Sequence, residues 1–312
     1  MTLLVKSGGE QAMAQWREYF AEFAPGLPVR WWNDPGVAPE EVDYVLVWEP
    51  EPGRLANYPN LRLILSSGAG VDHILADPRR PAHIDIVRMS TRDTEQRMAE
   101  YVSFAALSLL RDLNRIIVQQ AARRWDEYEI PRSAAQTRAG VMGMGSLGAS
   151  SAVMLRQLGF ITAGWSQSRK SVSGVESFAG WDEFPQFLSR TDILVCLLPD
   201  TPQTRGIIRA ETISRLAPGA GIVNAGRGAH VVMADLISAL DSGQLGGAIL
   251  DVFEQEPLPA HAAPWRHPKI LVTPHIAASP SRRERASYVA GVIAAFEAGL
   301  PVANIYDPVR GY

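Results

Sequence analysis

The sequence predicts an α/β protein built on doubly wound parallel sheets, and two observations lead to this fold class. Short apolar runs recur along the chain, as in residues 42–48 (VDYVLVW) and 61–66 (LRLILS), and segments of helical length separate them. The chain has 312 residues, which corresponds to roughly two domains at about 150 residues each. We therefore expect two α/β domains, each with a mostly parallel sheet between helices.

Composition argues against several classes of protein. Lys and Arg total 30 against 33 for Asp and Glu, so the net charge of −3 does not fit a strongly basic nucleic-acid-binding protein. The single cysteine, Cys196, rules out an intramolecular disulfide and a zinc site of several cysteines. The start of the chain lacks the apolar core of a signal peptide, and no uncharged apolar run is long enough to span a membrane. We expect a cytoplasmic protein without metal, membrane or nucleic-acid partners.

A long helix is expected in the first half of the chain. Apolar side chains recur at steps of three or four through residues 98–124, which predicts one helix. Asp93 and Gln96 resemble a capping box just ahead of it. The small and polar residues 132–138 (RSAAQTR) then predict a connecting loop.

The order of the elements predicts that one domain is inserted into the other. After a strand-like run near the end of the chain, residues 281–300 again have a helical pattern. We expect residues 1–99 and 280–312 to form a discontinuous substrate domain. Residues 100–279 would form the inserted domain, which the next motif identifies as the dinucleotide-binding one.

A glycine-rich loop opens the middle of the chain. Gly143, Gly145 and Gly148 form a G-x-G-x-x-G motif that follows an apolar run and precedes a helical segment, with Ser146 and Leu147 between the last two glycines. A strand, a glycine turn and a helix in this order are the Rossmann fingerprint of a dinucleotide-binding site. The glycines let backbone approach a pyrophosphate, and the helix N-terminus stabilises its charge.

The residues after the next strand indicate which dinucleotide is bound. NAD-binding units usually carry an acidic residue here, which bonds the ribose 2′-hydroxyl. This chain instead has hydroxyl, amide and cationic side chains, which suit a 2′-phosphate: Ser166, Gln167, Ser168, Arg169 and Lys170. We therefore expect NADP(H) as the preferred cofactor, with NAD(H) possible.

Three later segments carry charged or titratable residues after strand-like runs. Arg227 lies between glycines in NAGRG, Glu256 follows in LDVFEQEPLP, and His275 lies in TPHIAA. An arginine can hold a substrate carboxylate with two hydrogen bonds. A histidine supported by a glutamate can protonate a carbonyl oxygen. Together these groups fit the reduction of a 2-keto acid.

These motifs resemble one known family over nearly the whole chain. The segments GMGSLG, LLPDTPQTRGII, NAGRG, LDVFEQEPLP and TPHIAA occur in the order found in the D-isomer-specific 2-hydroxyacid dehydrogenases. The sequence is most similar to the glyoxylate/hydroxypyruvate reductase A branch. The resemblance implies NADPH-dependent reduction of glyoxylate to glycolate and of hydroxypyruvate to D-glycerate, by a homodimer.

The resemblance also assigns individual residues. It makes Arg227, Glu256 and His275 catalytic, and it assigns Arg227 to the substrate as well. Asp251 would approach the nicotinamide carboxamide. Further residues are implied at the cofactor, namely Leu198, Pro199, Thr204 and Ala225, and further residues at the substrate, namely Trp48, Ala69 and Gly70.

Some features depart from the family or leave other functions open. Gly226 precedes the catalytic arginine where many members have Ala or Ser. The keto acid could be a different or bulkier one. A related formate dehydrogenase is disfavoured because Glu256 is present, and formate oxidation needs no proton relay. A dinucleotide-sensing corepressor-like protein is an alternative from another class.

Overall fold

The computed structural model describes residues 1–308 and divides into two compact units. Unit 1 consists of Met1–Thr94 and Pro280–Tyr312, and unit 2 consists of Glu95–Ser279. Each unit has its own sheet and its own clusters of buried apolar side chains.

Strands are interspersed with helices along both units. The strands are β1 Thr2–Val5, β2 Val29–Trp31, β3 Val42–Val47, β4 Leu63–Ser66, β5 Asp85–Val87, β6 Arg138–Met142, β7 Ile161–Ser166, β8 Glu176–Ala179, β9 Ile193–Cys196, β10 Ala220–Asn224, β11 Leu245–Leu250 and β12 Ile270–Val272. The helices are α1 Met13–Phe23, α2 Asp72–Leu75, α3 Arg92–Leu110, α4 Leu113–Ala121, α5 Ser146–Gln157, α6 Phe184–Ser189, α7 Ala210–Ser214, α8 Met233–Ser242 and α9 Arg282–Glu297.

Both sheets are parallel throughout. The five strands of unit 1 have the order β2-β1-β3-β4-β5, and the seven strands of unit 2 have the order β12-β11-β10-β9-β6-β7-β8. Every residue of β1, β4, β9 and β10 is buried, as expected where both faces of a parallel sheet are covered. The doubly wound α/β fold class is therefore confirmed.

The strand order of unit 2 locates a ligand crevice. The chain runs outward from β6 through β7 to β8, returns to β9 on the other side of β6, and then runs outward to β12. Ligands of open α/β sheets bind beyond the carboxyl ends of the strands where this direction reverses. The loops after β6 and β9 border this point, and the loops after β10, β11 and β12 follow along the same edge.

The prediction of a single long helix over residues 98–124 is wrong. The structure has two helices, α3 and α4, which are separated at Asp112, where φ is 54°. A left-handed residue cannot continue a right-handed helix, and aspartate tolerates this conformation better than most residues. The apolar repeat runs through both helices, so periodicity alone did not reveal the break.

The prediction of a capping box at Asp93 and Gln96 is also wrong. The Thr94 N–H donates to Thr91 Oγ1 at 3.2 Å, and the Thr91 N–H donates to Thr94 Oγ1 at 2.8 Å. These reciprocal bonds start α3 earlier, so Asp93 and Gln96 lie within its first turns. Threonine at both positions satisfies the same free backbone donors as the usual Ser-to-Glu pair.

A charged cluster ties β6 to β9 at the amino ends of these strands. Asp192 accepts from the Arg138 guanidinium at 2.9 and 2.8 Å and from the Arg138 backbone N–H at 2.8 Å, and Arg132 lies 3.1 Å away. Burial opposes ionisation of Asp192, but these hydrogen bonds and charges outweigh it and lower its pKa to about 2. The folded state therefore binds the Asp192 proton less tightly than the unfolded chain does.

We expect Asp192→Asn to destabilise the protein by roughly 1–2 kcal/mol at neutral pH, after allowance for solvent around the partly exposed arginines. Folding lowers the pKa of Asp192 from its ordinary value of 3.8. The stabilisation by the charged carboxylate is therefore fully present when the pH is above 3.8, and it is lost as the pH falls towards about 2. Urea unfolding across this range measures it. Asp126→Asn, which removes an exposed partner of Arg124, is the control and should change stability by less than about 0.5 kcal/mol. Equal stability of both variants would contradict the prediction.

Among the described residues, no helix has both the length and the apolar character needed to cross a membrane.

Candidate active site

The glycine-rich loop joins β6 to α5, and the surroundings of its three glycines differ. Gly143 has a φ of +97°, and a Cβ there would lie 2.6 Å from the Leu197 carbonyl oxygen. A Cβ on Gly148 would lie 1.8 Å from the Gly143 oxygen, so this glycine lets the helix pack against the loop. A Cβ on Gly145 would meet nothing within 4 Å. The open space beside Gly145 is where a ligand can approach the backbone.

Helix α5 begins at Ser146, directly after Gly145, which is its N-cap residue. Glycine has no side chain with which to cap the first backbone N–H groups, and the N-terminus of a helix favours a bound anion. Gly164 in β7 makes room for the loop, because a Cβ there would lie 2.3 Å from the Met144 sulfur. The loop therefore fits the pyrophosphate of a dinucleotide.

Of the five residues predicted to bind the ribose 2′-phosphate, Ser166 is the last residue of β7 and the other four follow it. Ser166 is buried, and its hydroxyl donates to the Ser168 carbonyl oxygen at 2.8 Å. Residues 167–170 are exposed. The Arg169 guanidinium contacts the Ser177 carbonyl oxygen and the Glu183 carboxylate. Arg169 is thus held at the tip by groups that the sequence analysis did not identify.

The turn after β9 carries three of the predicted cofactor residues. Thr204 is buried, and its hydroxyl donates to the Pro199 carbonyl oxygen at 2.6 Å and accepts from the Thr201 N–H at 2.9 Å. This bonding gives Thr204 a role in shaping the turn. Leu198 is buried beside it. Ala225, the fourth such residue, follows β10, and its N–H donates to the Cys196 carbonyl oxygen at 3.2 Å.

Glu256 and His275 form a hydrogen-bonded pair. Glu256 Oε2 lies 2.6 Å from His275 Nδ1, and Glu256 Oε1 accepts from the Phe253 N–H at 2.8 Å. Burial favours the neutral carboxyl, but the bonds from His275 and Phe253 and the charge of Arg227 together hold the pKa of Glu256 below its ordinary value. An ionised Glu256 therefore bonds Nδ1 and orients the imidazole.

The turn that carries His275 is held in a strained conformation by Asp251. His275 has a φ of 53°, which side chains other than glycine seldom adopt. The buried Asp251 carboxylate accepts from the backbone N–H groups of Ile276 and Ala277, both at 2.9 Å, and from the Thr273 hydroxyl at 2.6 Å. These bonds fix the turn and, with it, the direction of the imidazole.

A further hydrogen bond, from helix α3, supports this arrangement. The Tyr101 hydroxyl lies 2.7 Å from Thr273 Oγ1. Because the Thr273 hydrogen is used toward the Asp251 carboxylate, Tyr101 is the donor to Thr273. Burial raises the pKa of Tyr101, which keeps this donor protonated. Neither Tyr101 nor Thr273 was singled out from the sequence, since nothing local relates residues so far apart in the chain.

Arg227 follows β10, and its loop packs against the segment that carries Glu256. A Cβ on Gly228 would lie 1.9 Å from the Phe253 carbonyl carbon, so glycine is required for the two backbones to approach this closely. The Asn224 amide donates to the Arg227 carbonyl oxygen at 2.9 Å, and the Arg227 guanidinium donates to the Gly226 carbonyl oxygen at 2.7 Å. Asn224 is a further residue that the sequence analysis missed.

Gly226, which stands where many family members have Ala or Ser, has little room for a side chain. A Cβ there would lie 2.9 Å from His230 Nδ1 and 3.0 Å from the Leu198 carbonyl oxygen. An alanine at this position would therefore require a shift of a few tenths of an ångström.

The candidate substrate residues of unit 1 lie at and beside one turn after β4. Ser66 donates its hydroxyl to the Gly70 carbonyl oxygen at 2.9 Å, and Ala69 and Gly70 are partly exposed. Trp48 packs on this turn, because a Cβ on Gly68 would lie 2.8 Å from the Trp48 ring. The turn therefore has partly exposed residues beside an aromatic ring.

Comparisons with known proteins agree on one family. Residues 103–277 match the family model described as D-isomer specific 2-hydroxyacid dehydrogenase, NAD binding domain. Glyoxylate/hydroxypyruvate reductase A of Yersinia enterocolitica is 38% identical over 303 residues, which cover 96% of each chain.

Solved structures with bound cofactor are also similar. A D-isomer specific 2-hydroxyacid dehydrogenase from Xanthobacter autotrophicus Py2, in complex with NADPH and MES, has a TM-score of 0.92 and 40% identity, with 100% of this chain and 99% of that chain covered. An NADPH-dependent glyoxylate/hydroxypyruvate reductase from Sinorhizobium meliloti, in complex with NADP and sulfate, has a TM-score of 0.92 and 37% identity, with the same coverage.

Proposed function

Because the chain belongs to the family of D-isomer-specific 2-hydroxyacid dehydrogenases, we propose that it reduces small 2-keto acids with NADPH. The proposed reactions are glyoxylate to glycolate and hydroxypyruvate to D-glycerate. The observation that carries the proposal is the 2.6 Å contact between Glu256 Oε2 and His275 Nδ1 in a unit that also has a dinucleotide loop. Relatives that are similar over 96% of the chain bear the names of these activities.

The side chains of unit 2 have distinct roles in this mechanism. The bound nicotinamide cofactor supplies the hydride. His275 Nε2 donates a proton to the carbonyl oxygen of the substrate. Glu256 fixes the imidazole through Nδ1 and stabilises its protonated form by charge. Arg227 binds the substrate carboxylate by charge-assisted hydrogen bonds.

The remaining site residues are assigned by family resemblance and stay proposals. In unit 1, the backbone N–H groups of Ala69 and Gly70 would bind the substrate carboxylate, and Trp48 would border the rest of the substrate. In unit 2, Asp251 would bond the nicotinamide carboxamide. Its carboxylate already accepts three hydrogen bonds, so about one acceptor position is left for this role.

The tip after β7 supports a preference for NADPH. We expect Arg169→Ala to raise KM for NADPH about tenfold and to leave KM for NADH unchanged, because one charge-assisted bond to the 2′-phosphate is lost. Arg190→Ala is a matched control. Arg190 is also paired with a carboxylate, that of Glu176, but Glu176 lies at the amino end of β8, away from the proposed ribose site. Steady-state kinetics with each cofactor measures both. Equal effects on the two cofactors would contradict the prediction.

A panel of substrates tests the proposed function. NADPH and NADH oxidation are followed with glyoxylate, hydroxypyruvate, pyruvate and phenylpyruvate, and formate-dependent reduction of NADP⁺ is followed in parallel. We expect turnover with the first two acids and NADPH. Preference for phenylpyruvate would indicate a bulkier substrate, and turnover of formate would indicate a formate dehydrogenase. No turnover, with a protein partner captured only when dinucleotide is present, would favour the corepressor-like function.

We also propose that the protein is a cytoplasmic homodimer. Helices α3 and α4 and the segment after them carry an unusual number of large apolar side chains that are at least one-third exposed: Phe104, Leu107, Ile116, Ile117, Val118 and Trp125. Exposed apolar surface of this kind marks protein interfaces. A cytoplasmic location is consistent with the proposed NADPH-dependent reaction.

Substitution within this surface tests the dimer. We expect the wild-type protein to sediment as a dimer at micromolar concentration and Ile117→Arg to sediment as a monomer, because the charge would be buried unpaired at the interface. Leu158→Arg is the control, since Leu158 is similarly exposed at the end of α5 and should leave the dimer intact. A wild-type monomer would exclude the interface.

A further inference from the structure

His230 is a buried histidine that lies close to the proposed catalytic residues but has no role in the mechanism above. It ends a short 3-10 helix, Gly228–His230, which follows Arg227 directly. Its side chain is fully buried. A buried imidazole needs partners for both ring nitrogens, so its contacts are informative.

The two ring nitrogens of His230 contact groups of opposite kinds. Nε2 lies 3.1 Å from the Pro199 carbonyl oxygen, which can only accept, so Nε2 carries the hydrogen. Nδ1 lies 3.1 Å from the backbone nitrogen of Arg227, which can only donate, so Nδ1 accepts. The neutral Nε2–H tautomer satisfies both contacts, whereas the other tautomer would oppose hydrogen to hydrogen at Nδ1.

These contacts connect two loops at the carboxyl edge of the sheet. Pro199 lies in the turn after β9, and Arg227 lies in the loop after β10. The Arg227 carbonyl oxygen is held from the other side by the Asn224 amide at 2.9 Å. Both backbone polar groups of Arg227 are therefore fixed, and the direction in which its side chain leaves the backbone is fixed with them.

The packing around the ring restricts its movement. A Cβ on Gly226 would lie 2.9 Å from Nδ1, and the Cys196 sulfur lies 3.5 Å from the same nitrogen. Burial raises the pKa of Cys196 to about 12, so this neighbour is a neutral thiol. The ring thus lies buried beside a neutral thiol, a setting that suits the neutral tautomer.

We infer that His230 is a positioning residue that fixes the Arg227 backbone through its Nδ1 hydrogen bond and thereby aims the guanidinium at the substrate carboxylate, while the Pro199 contact sets the tautomer of the ring. The inference rests on the proposed keto-acid reductase function. It assigns His230 no contact with substrate or cofactor.

Two substitutions separate the two hydrogen bonds. His230→Asn places an amide oxygen near the Nδ1 position and retains the bond to Arg227. His230→Gln places an amide nitrogen near the Nε2 position and retains only the bond to Pro199. We expect His230→Gln to raise KM for glyoxylate on the order of tenfold, with KM for NADPH changed less than about twofold, and His230→Asn to retain most of the wild-type affinity.

This comparison distinguishes positioning from a structural role. A merely structural histidine would lower Tm in both variants without a selective change in KM for the keto acid. Equal KM values in the two variants, or equal changes for glyoxylate and NADPH, would overturn the inference.

A measurement on the wild-type protein keeps the inference testable if the variants do not fold. Nitrogen NMR of the histidine rings should find His230 with an unprotonated Nδ1 and a protonated Nε2 at neutral pH. A proton on Nδ1 would overturn the inference. This result does not depend on activity, so a wild-type protein that fails to reduce glyoxylate would refute the proposed function separately.

Discussion

Replacing His275 with alanine should lower kcat for glyoxylate reduction by roughly a hundred- to ten-thousandfold, because the proton donor to the developing alkoxide is lost. KM for glyoxylate should change little, since the carboxylate of the substrate is bound by other groups. Steady-state kinetics measures both constants. NADPH binding, followed by fluorescence, and Tm should stay near wild type and serve as controls. Near-normal kcat would refute His275 as the general acid.

Glu256→Gln tests how much the charge of Glu256 contributes to the action of His275. The amide oxygen can still accept from His275 Nδ1, so the ring keeps its orientation while the charge is removed. We therefore expect a smaller loss of kcat than in His275→Ala. The pKa of Glu256 is lower than its ordinary value of 4.5, so the carboxylate of the wild type is still charged at pH 4.5. The difference in kcat between the wild type and Glu256→Gln should therefore persist down to pH 4.5 and disappear only at lower pH.

Replacing Arg227 with alanine should lower kcat/KM for glyoxylate by roughly a hundred- to a thousandfold, because a charge-assisted contact to the substrate carboxylate is lost. Unlike His275→Ala, this variant should have a clearly raised KM. Added guanidinium should restore part of the activity, whereas it should not help His275→Ala.

Arg209→Ala is the control for Arg227→Ala, since Arg209 is exposed and paired with Glu211. Its kinetics should match those of the wild type. Arg227→Lys should recover only part of the activity, because a lysine cannot form two parallel bonds to a carboxylate. Unchanged kcat/KM in Arg227→Ala would remove Arg227 from the mechanism.

The fold class could be predicted because its signals are local. Buried parallel strands need apolar residues on both faces, and β9 and β10 are therefore apolar runs that can be recognised without any structure. The glycine motif of the loop after β6 can also be recognised from its local spacing, although the Leu197 carbonyl that excludes a side chain at Gly143 lies far along the chain. The family followed from several such motifs in order, and the comparisons confirm it.

The supporting contacts of the site could not be predicted, because their partners are distant in sequence. Tyr101 reaches Thr273 across 172 positions, and His230 reaches Pro199 across 31. Neither residue type is unusual in its local sequence. The break at Asp112 has a related cause, since a single left-handed residue does not disturb the apolar repeat on either side.

The configuration of the product tests the central claim most directly. The wild-type protein is incubated with hydroxypyruvate and NADPH, and the glycerate formed is resolved on a chiral column. The proposed function predicts D-glycerate in an amount equal to the NADPH oxidised. L-Glycerate, or NADPH oxidation without glycerate, would contradict it.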